Sequence, residues 1–367
     1  MSELFQFADA IGPEKVIGIF EPKLDLRAIV VVDNVAAGPA VGGCRMAPDA
    51  TLAECFRLAR AMTMKNAAAG LPHGGAKSVI LADPKMPAER KELTMRAFAH
   101  AIRDVKDYIV GPDMGTNERA MAWIHDEIGR SVGLPREIGG IPLDEIGATG
   151  FGVAIAAEVA QEFCEVRVAG ARVAIQGFGA VGKHAARFLA ARGAVLVAAS
   201  DSQGTIANRK GLDVQALTAF KDQGGAVTDF PGGERLDRDA IVGIACDILI
   251  PAARPDVINM TNVDSIRAKL VLQGANIPAS PEAEDRLHKR GILSVPDFIA
   301  NAGGVICAAV EYQGGTQALA FQAIEEKIRE NTRAVLESMR SRNISPRQAA
   351  VNLARERVVS AMSYRRF

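Results

Sequence analysis

Neither sign of charge is in excess in this sequence, where 43 Lys and Arg face 43 Asp and Glu. That balance removes the electrostatic reason to expect nucleic acid or an anionic membrane as a partner, and a small or neutral ligand fits better. Cysteine is scarce: Cys44, Cys55, Cys164, Cys246 and Cys307 are odd in number, scattered and never spaced C-x-x-C. A disulfide framework and a zinc site are thereby disfavoured, and buried thiols in a reducing compartment are expected. No spacing of His, Asp and Glu suggests a metal. No apolar run reaches the roughly 18 residues of a membrane span, and the start, MSELFQFADAIG, lacks a basic region followed by a long apolar core. A cytoplasmic protein is expected.

What is present is length for two domains in 367 residues, an apolar content near half, and 35 glycines, which together imply a packed α/β protein with many tight turns. LRAIVVVDNV from Leu26 and KSVILAD from Lys77 read as strands, and LAECFRLARAMTMKNAAAG between them carries a helical apolar stripe. ERKELTMRAFAHAIRDV reads as an amphipathic helix and DYIVG as a short strand. From Thr149 the pattern turns regular, with strands ARVAIQG, AVLVAASD, CDILIP and KLVLQG separated by helical stretches. Such alternation implies parallel βαβ units in a doubly wound sheet. GATG, Gly147 to Gly150, is a hinge-like entry between the two blocks. The chain after Asn301 reads as mostly helical, with long amphipathic stretches over 318–340 and 346–362.

The string VAIQGFGAVGKHAARFLAARGAVLVAASDS places Gly177, Gly179 and Gly182 as G-x-G-x-x-G between a strand and a helix. The loop Gly177, Phe178, Gly179, Ala180, Val181, Gly182 would let a pyrophosphate approach the backbone at a helix N-terminus. The next strand ends at Asp201, nineteen residues beyond Gly182, where an acid can bind the ribose hydroxyls of NAD. Arg209 and Lys210 follow a few residues on and could meet the 2′-phosphate of NADP. NAD is expected ahead of NADP.

A dinucleotide domain implies hydride transfer, so the first block must hold the substrate. MKNAAAGLPHGGAKSVI sets Lys65 and Lys77 around a Gly-rich corner with no acid between them. Two ammonium groups in one cleft raise each other's free energy, and burial adds to this. One lysine would then titrate low enough to act as a base, while the other held a substrate carboxylate. That is the chemistry of amino acid oxidation, which also needs a carboxylate to shuttle protons. Asp113, in the Gly/Pro-bounded loop of GPDMGTNERAMAWI, supplies one. Against this, a single lysine is most often a solvated surface charge, and Thr116 or Asn117 could simply cap a helix.

MTMKNAAAGLPHGGAKSVI, GPDMGTNERAMAWI, GATGFGVA, PAARPDVI, QGANIPAS and PDFIANAGGVI together resemble, in order, the motifs of the glutamate/leucine/phenylalanine/valine dehydrogenases. The resemblance runs from about Ala40 to the C-terminal helices. It implies an N-terminal mixed α/β substrate domain with a mostly antiparallel but mixed sheet, a C-terminal Rossmann-type dinucleotide domain, and a cleft between them. The expected boundaries are 1–146, 147–330, and 331–367 for C-terminal helices packing back on the first domain. It further implies a homo-oligomer. By resemblance, Lys65 binds the α-carboxylate with the Gly42 and Gly43 backbone, Lys77 is the catalytic lysine and Asp113 the proton shuttle. Thr149 and Asn276 meet the nicotinamide end, and Ala252 lies along the cofactor.

Glutamate-specific members of that family carry a lysine in P-x-K-G-G and a serine after NAGGV. This chain has PAVGG and NAGGVICA, so Val41 and Ala308 stand there. A γ-carboxylate facing them would be unpaired, whereas an apolar side chain against Val41, Ala308 and Val305 would gain about 1.5 to 3 kcal/mol of burial. NAD-dependent oxidation of an apolar L-amino acid is therefore expected, nearest the leucine and phenylalanine enzymes. Two other readings compete: the same chemistry on glutamate or another amino acid, and a silent NAD-binding homologue. His73 is a candidate for the site edge, while His125, Glu311 and Tyr312 read as packing residues.

Overall fold

The computed structural model describes residues 5–366 and divides into two compact α/β units. Of the described residues, the first unit takes 5–142, 305–320 and 351–366, and the second takes 143–304 and 321–350.

The first unit is built on β1 (Lys15–Glu21), β2 (Leu26–Asn34), β3 (Ala40–Met46), β4 (Gly75–Ile80) and β5 (Tyr108–Pro112), with α1 (Leu52–Ala68), α2 (Ala88–Ala101) and α3 (Glu118–Ile128). Its sheet order is β1-β2-β4-β3-β5. The first two pairings are antiparallel and the last two parallel, so the sheet is evenly mixed instead of mostly antiparallel. Parallel neighbours need a long crossover, and α1 provides it between β3 and β4. Side chains alternate across the sheet. Ala28, Val30 and Val32 of β2, Cys44 of β3 and Ala76 and Ile80 of β4 pack with Met95 and Phe98 of α2 and Met121 and Ile124 of α3. Val31 and Val79 point the other way, onto Cys55, Phe56 and Ala59 of α1. With a period of two, Lys77 shares the α1 face with Val79, and Val41, Gly43, Arg45 and Ile109 lie on that same face.

The second unit contains α4 (Leu143–Ile146), α5 (Ala148–Ala160), β6 (Arg172–Gln176), α6 (Ala180–Ala190), β7 (Val195–Ser200), β8 (Thr205–Ala207), α7 (Val214–Asp222), β9 (Glu234–Leu236), β10 (Ile248–Pro251), β11 (Leu270–Leu272), α8 (Pro281–Lys289), β12 (Leu293–Val295) and α9 (Asp297–Ala300). The sheet order is β12-β11-β10-β6-β7-β8-β9, parallel from β12 to β7 and antiparallel at β8 and β9. The parallel part is the expected doubly wound arrangement, and its order reverses beside β6, where such sheets bind ligands at their C-terminal strand ends.

The C-terminal division differs from the expected one. Of α10 (Gly303–Tyr312), α11 (Gln317–Arg342) and α12 (Pro346–Ser363), residues 305–320 belong to the first unit, and residues 331–350 belong to the second. Side chains explain both assignments. Glu311 accepts N–H bonds from Gly133, Leu134 and Ile141 in the first unit. Arg347 binds Glu284 and Asp297 in the second. Cys44, Cys55, Cys246 and Cys307 are buried free thiols, while Cys164 is only half-buried. Among the described residues, no helix is long and apolar enough to cross a membrane.

Candidate active site

The corner flagged by the two lysines forms where α1 lies on the sheet. Thr51 caps the start of α1 by accepting from the Glu54 N–H, and Lys65 stands half-buried in its last turn. The next residue, Asn66, donates its Nδ2 to the carbonyls of Val41 (3.3 Å) and Gly74 (2.7 Å). One buried amide therefore ties the end of the helix to β3 and to the Gly-rich turn before β4. Sequence reasoning passed over Asn66, because a polar residue beside a catalytic candidate shows nothing of distant carbonyls.

Lys77 is 5% exposed, and its ammonium meets the Asp113 carboxylate directly. Arg45 stands beside both, donating to Glu54 and, at 3.4 Å, to Asp113 Oδ1. Burial, followed by the positive charge of Arg45, pushes Lys77 down from 10.5 to about 8. Gly43 leaves the space this pair needs, since a Cβ there would lie 2.8 Å from Asp113 Cβ and 3.0 Å from its Oδ2. The loop carrying Asp113 is fixed by Thr116, whose Oγ1 accepts the Asp113 N–H and donates to the Cys44 carbonyl. Asn117 caps α3, so both cap candidates are used, and Asp113 remains aimed at Lys77.

Val41, Ile109 and Val132 form a small buried apolar cluster with Ala308 of α10 packed against it. Val41 pairs with Ile109 across β3 and β5, and both lie on the face from which Lys77 projects. Residues 41 and 308, singled out from distant motifs, thus share one apolar wall. Val305 is half-buried one turn earlier on α10 and is not among the residues of that cluster. Glu311, read as a packing residue, instead fixes the backbone, because its three N–H partners lie along the segment 133–141 that follows Val132. His73 is buried, with Nδ1 3.0 Å from the Pro39 carbonyl and its ring edge-on to Tyr312; burial lowers its pKa, favouring the neutral imidazole.

In the second unit, Gly177 has φ +91, and its N–H and that of Phe178 both donate to the Ser200 carbonyl. A Cβ at Gly182 would lie 2.0 Å from the Gly177 oxygen, so turn and helix close tightly. At Gly179, the N-cap of α6, nothing lies within 4 Å of the Cβ position, and no side chain caps the helix. Open space therefore faces the uncapped start of the helix that Ala180 and Val181 begin. These residues fit a dinucleotide pyrophosphate. Ala252 donates its N–H to the Gln176 carbonyl (2.7 Å), and Asn301 Nδ2 donates to the Ala275 carbonyl and to Asn276 Oδ1. Thr149 lies in the first turn of α5 with its Oγ1 against Gly304. Asp201 follows β7, where burial acts to raise its pKa, but Lys221 and the N–H groups of Val227 and Gln203 hold it below the usual carboxylate range. Among the described residues, no group of His, Cys, Asp and Glu could hold a metal ion.

The chain is similar to known proteins over most of its length. Residues 139–366 match the family described as Glutamate/Leucine/Phenylalanine/Valine dehydrogenase, and residues 23–130 match the Glu/Leu/Phe/Val dehydrogenase dimerisation domain. The chain is 39% identical over 355 residues to a glutamate dehydrogenase of Aeropyrum pernix, covering 90% of this chain and 85% of that one. It is 36% identical to an NADP(+)-dependent glutamate dehydrogenase of Pyrobaculum calidifontis, covering 96% and 91%. Among solved structures, the L-tryptophan dehydrogenase from Nostoc punctiforme superposes with a TM-score of 0.77 at 25% identity, covering 98% and 99%.

Proposed function

Since the chain belongs to the Glutamate/Leucine/Phenylalanine/Valine dehydrogenase family, we propose that it catalyses the reversible, NAD-linked oxidative deamination of an apolar L-amino acid to its 2-oxo acid and ammonia. The observation that carries the substrate class is the apolar wall of Val41, Ile109, Val132 and Ala308 on the sheet face of Lys77. An apolar side chain buried there gains about 1.5 to 3 kcal/mol, whereas the γ-carboxylate of glutamate would meet no cation and would cost several kcal/mol. The names of the Aeropyrum and Pyrobaculum relatives favour glutamate as a second reading; the Nostoc enzyme shows that this fold also serves an apolar amino acid.

In the proposed mechanism Lys65 anchors the α-carboxylate together with the backbone at Gly42 and Gly43. Asp113 takes the proton that the substrate amine must lose. A bound nicotinamide dinucleotide supplies the hydride acceptor, held through the turn Gly177 to Gly182 with Thr149, Ala252 and Asn276. Lys77, neutral in a useful fraction of molecules, then takes a proton from the water that attacks the imine and, once charged, stabilises the adduct. Direct contact between Lys77 and Asp113 lets that proton pass between them. NAD is preferred through Asp201, and the protein works as a homo-oligomer in the cytoplasm.

The test is NADH formation at alkaline pH across the L-amino acids, with a control lacking amino acid. Turnover on leucine, valine, isoleucine, methionine or phenylalanine and none on glutamate is expected. Preferred turnover on glutamate would overturn the pocket argument, and silence with every amino acid would overturn the activity.

A further inference from the structure

The dinucleotide site contains a cation that the sequence pattern did not point to. The basic pair after β8, Arg209 and Lys210, lies at the wrong end of the sheet for a 2′-phosphate. β8 runs antiparallel to β7, and beyond it the Asn208 N–H donates to the Val197 carbonyl and the Leu212 N–H to the Leu196 carbonyl. These partners belong to the start of β7. Asp201 follows the other end, four residues or about 13 Å further along a strand.

At that end stands Lys221, in the last turn of α7. Its Nζ lies 2.7 Å from Asp201 Oδ2, which also accepts the Val227 N–H at 2.9 Å, while Oδ1 accepts the Gln203 N–H at 2.9 Å. The helix is held in place by its neighbour: Asp222 accepts from Lys183 of α6 at 2.8 Å, close to the helix start that the phosphate turn leads into. Ser200, the residue before Asp201, supplies the carbonyl that receives the N–H groups of Gly177 and Phe178. The ion pair therefore sits next to the pyrophosphate turn, where the adenosine ribose of a dinucleotide ends.

We propose that Lys221 is a specificity-determining residue that narrows the preference for NAD over NADP by neutralising Asp201 and offering its ammonium to a 2′-phosphate. The proposal rests on the dinucleotide reading given above. A bare carboxylate at this position accepts the two ribose hydroxyls and repels a phosphate. Here one of its oxygens is shared by an ammonium and an amide. An ammonium carries three N–H donors, so pairing with Asp201 does not exhaust it.

Titration of the full-length protein with NADH and with NADPH, followed by nucleotide fluorescence and without amino acid, tests this directly. Lys221→Met should weaken NADPH by roughly tenfold or more while NADH changes by less than about threefold, because only the phosphate loses a cation. Lys221→Arg, which keeps the charge, should stay near the parent ratio, and Asp201→Asn should move the ratio toward NADPH. An unchanged NADPH/NADH ratio in Lys221→Met would overturn the proposal while leaving the dinucleotide reading intact. Equal loss of both nucleotides in that variant would make Lys221 a structural prop and also overturn it. Failure of the parent protein to bind either nucleotide would overturn the dinucleotide reading itself.

Discussion

The depressed Lys77 makes the pH profile of oxidation the sharpest consequence of the site. An ordinary lysine at 10.5 is neutral in about one molecule in three thousand at pH 7; at about 8 it is neutral in about one in ten. If neutral Lys77 is the base, kcat at saturating amino acid should rise about tenfold per unit up to pH 8 and then level off. The structure also supplies a way to move the inflection. Arg45 is the next cause of the depression after burial, and it stands over Asp113 and Glu54 as well. Arg45→Met removes a positive charge, unpairs Glu54 and leaves the Asp113 carboxylate to Lys77. All three changes favour the charged lysine, so the inflection must move upward, and at pH 7 each unit of movement lowers the rate about tenfold. The assay is steady-state kcat from pH 6 to 10 on the parent, Arg45→Met and Lys77→Ala, with folding of each checked by circular dichroism. A flat parent profile, or a downward shift in Arg45→Met, would refute the assignment of Lys77 as the titrating base.

Two further outcomes follow from the geometry. Val41→Lys should lower kcat/KM for an apolar amino acid by about ten- to a hundredfold, through lost burial and a new charge in the wall, and raise it for glutamate; parallel loss on both substrates would show that the wall does not touch the side chain. Arg347→Met should destabilise the fold by about 3 to 5 kcal/mol in denaturant titration, because it strands the buried carboxylates of Glu284 and Asp297, and a loss below about 1 kcal/mol would contradict that account.

How much of this was legible in the sequence depended on the range of the interaction. Strands β6, β7, β10 and β11 of the doubly wound sheet were readable because each lies in a continuous apolar run separated from the next by other segments. Strand β3 was not read as one, since AVGGCRM carries two glycines that weaken any strand pattern. The short strands β8, β9 and β12 carry too few residues to show a period. Lys77 and Asp113 were singled out because charge in a Gly-rich setting is conspicuous, and the fold brings their side chains into contact. Asn66 and Glu311 were missed as working residues because their partners are main-chain groups, one set of them some 170 residues away, and main-chain groups leave no mark in a sequence. Arg209 and Lys210 lie toward the start of β7 for a topological reason: nearness in sequence to Asp201 meant little once β8 turned the chain back along β7.

The side chains around Lys77 also bear on the choice of substrate through charge alone. Arg45, Glu54, Asp113 and Lys77 form a chain of contacts with two positive and two negative groups, so the cluster is neutral when Lys77 is charged. Deprotonating Lys77 leaves one negative charge in excess, and protonating Asp113 restores neutrality. A proton moved between these two touching groups therefore changes the net charge of the cluster by nothing, which is the condition for repeated acid and base steps in a buried place. A second substrate carboxylate placed against Val41, Ile109, Val132 and Ala308 would break that condition. It would add a negative charge beside a cluster already balanced, raise Lys77 toward its charged form and slow the step that needs the neutral amine. An apolar side chain against the same wall would leave the proton equilibrium where the protein has set it.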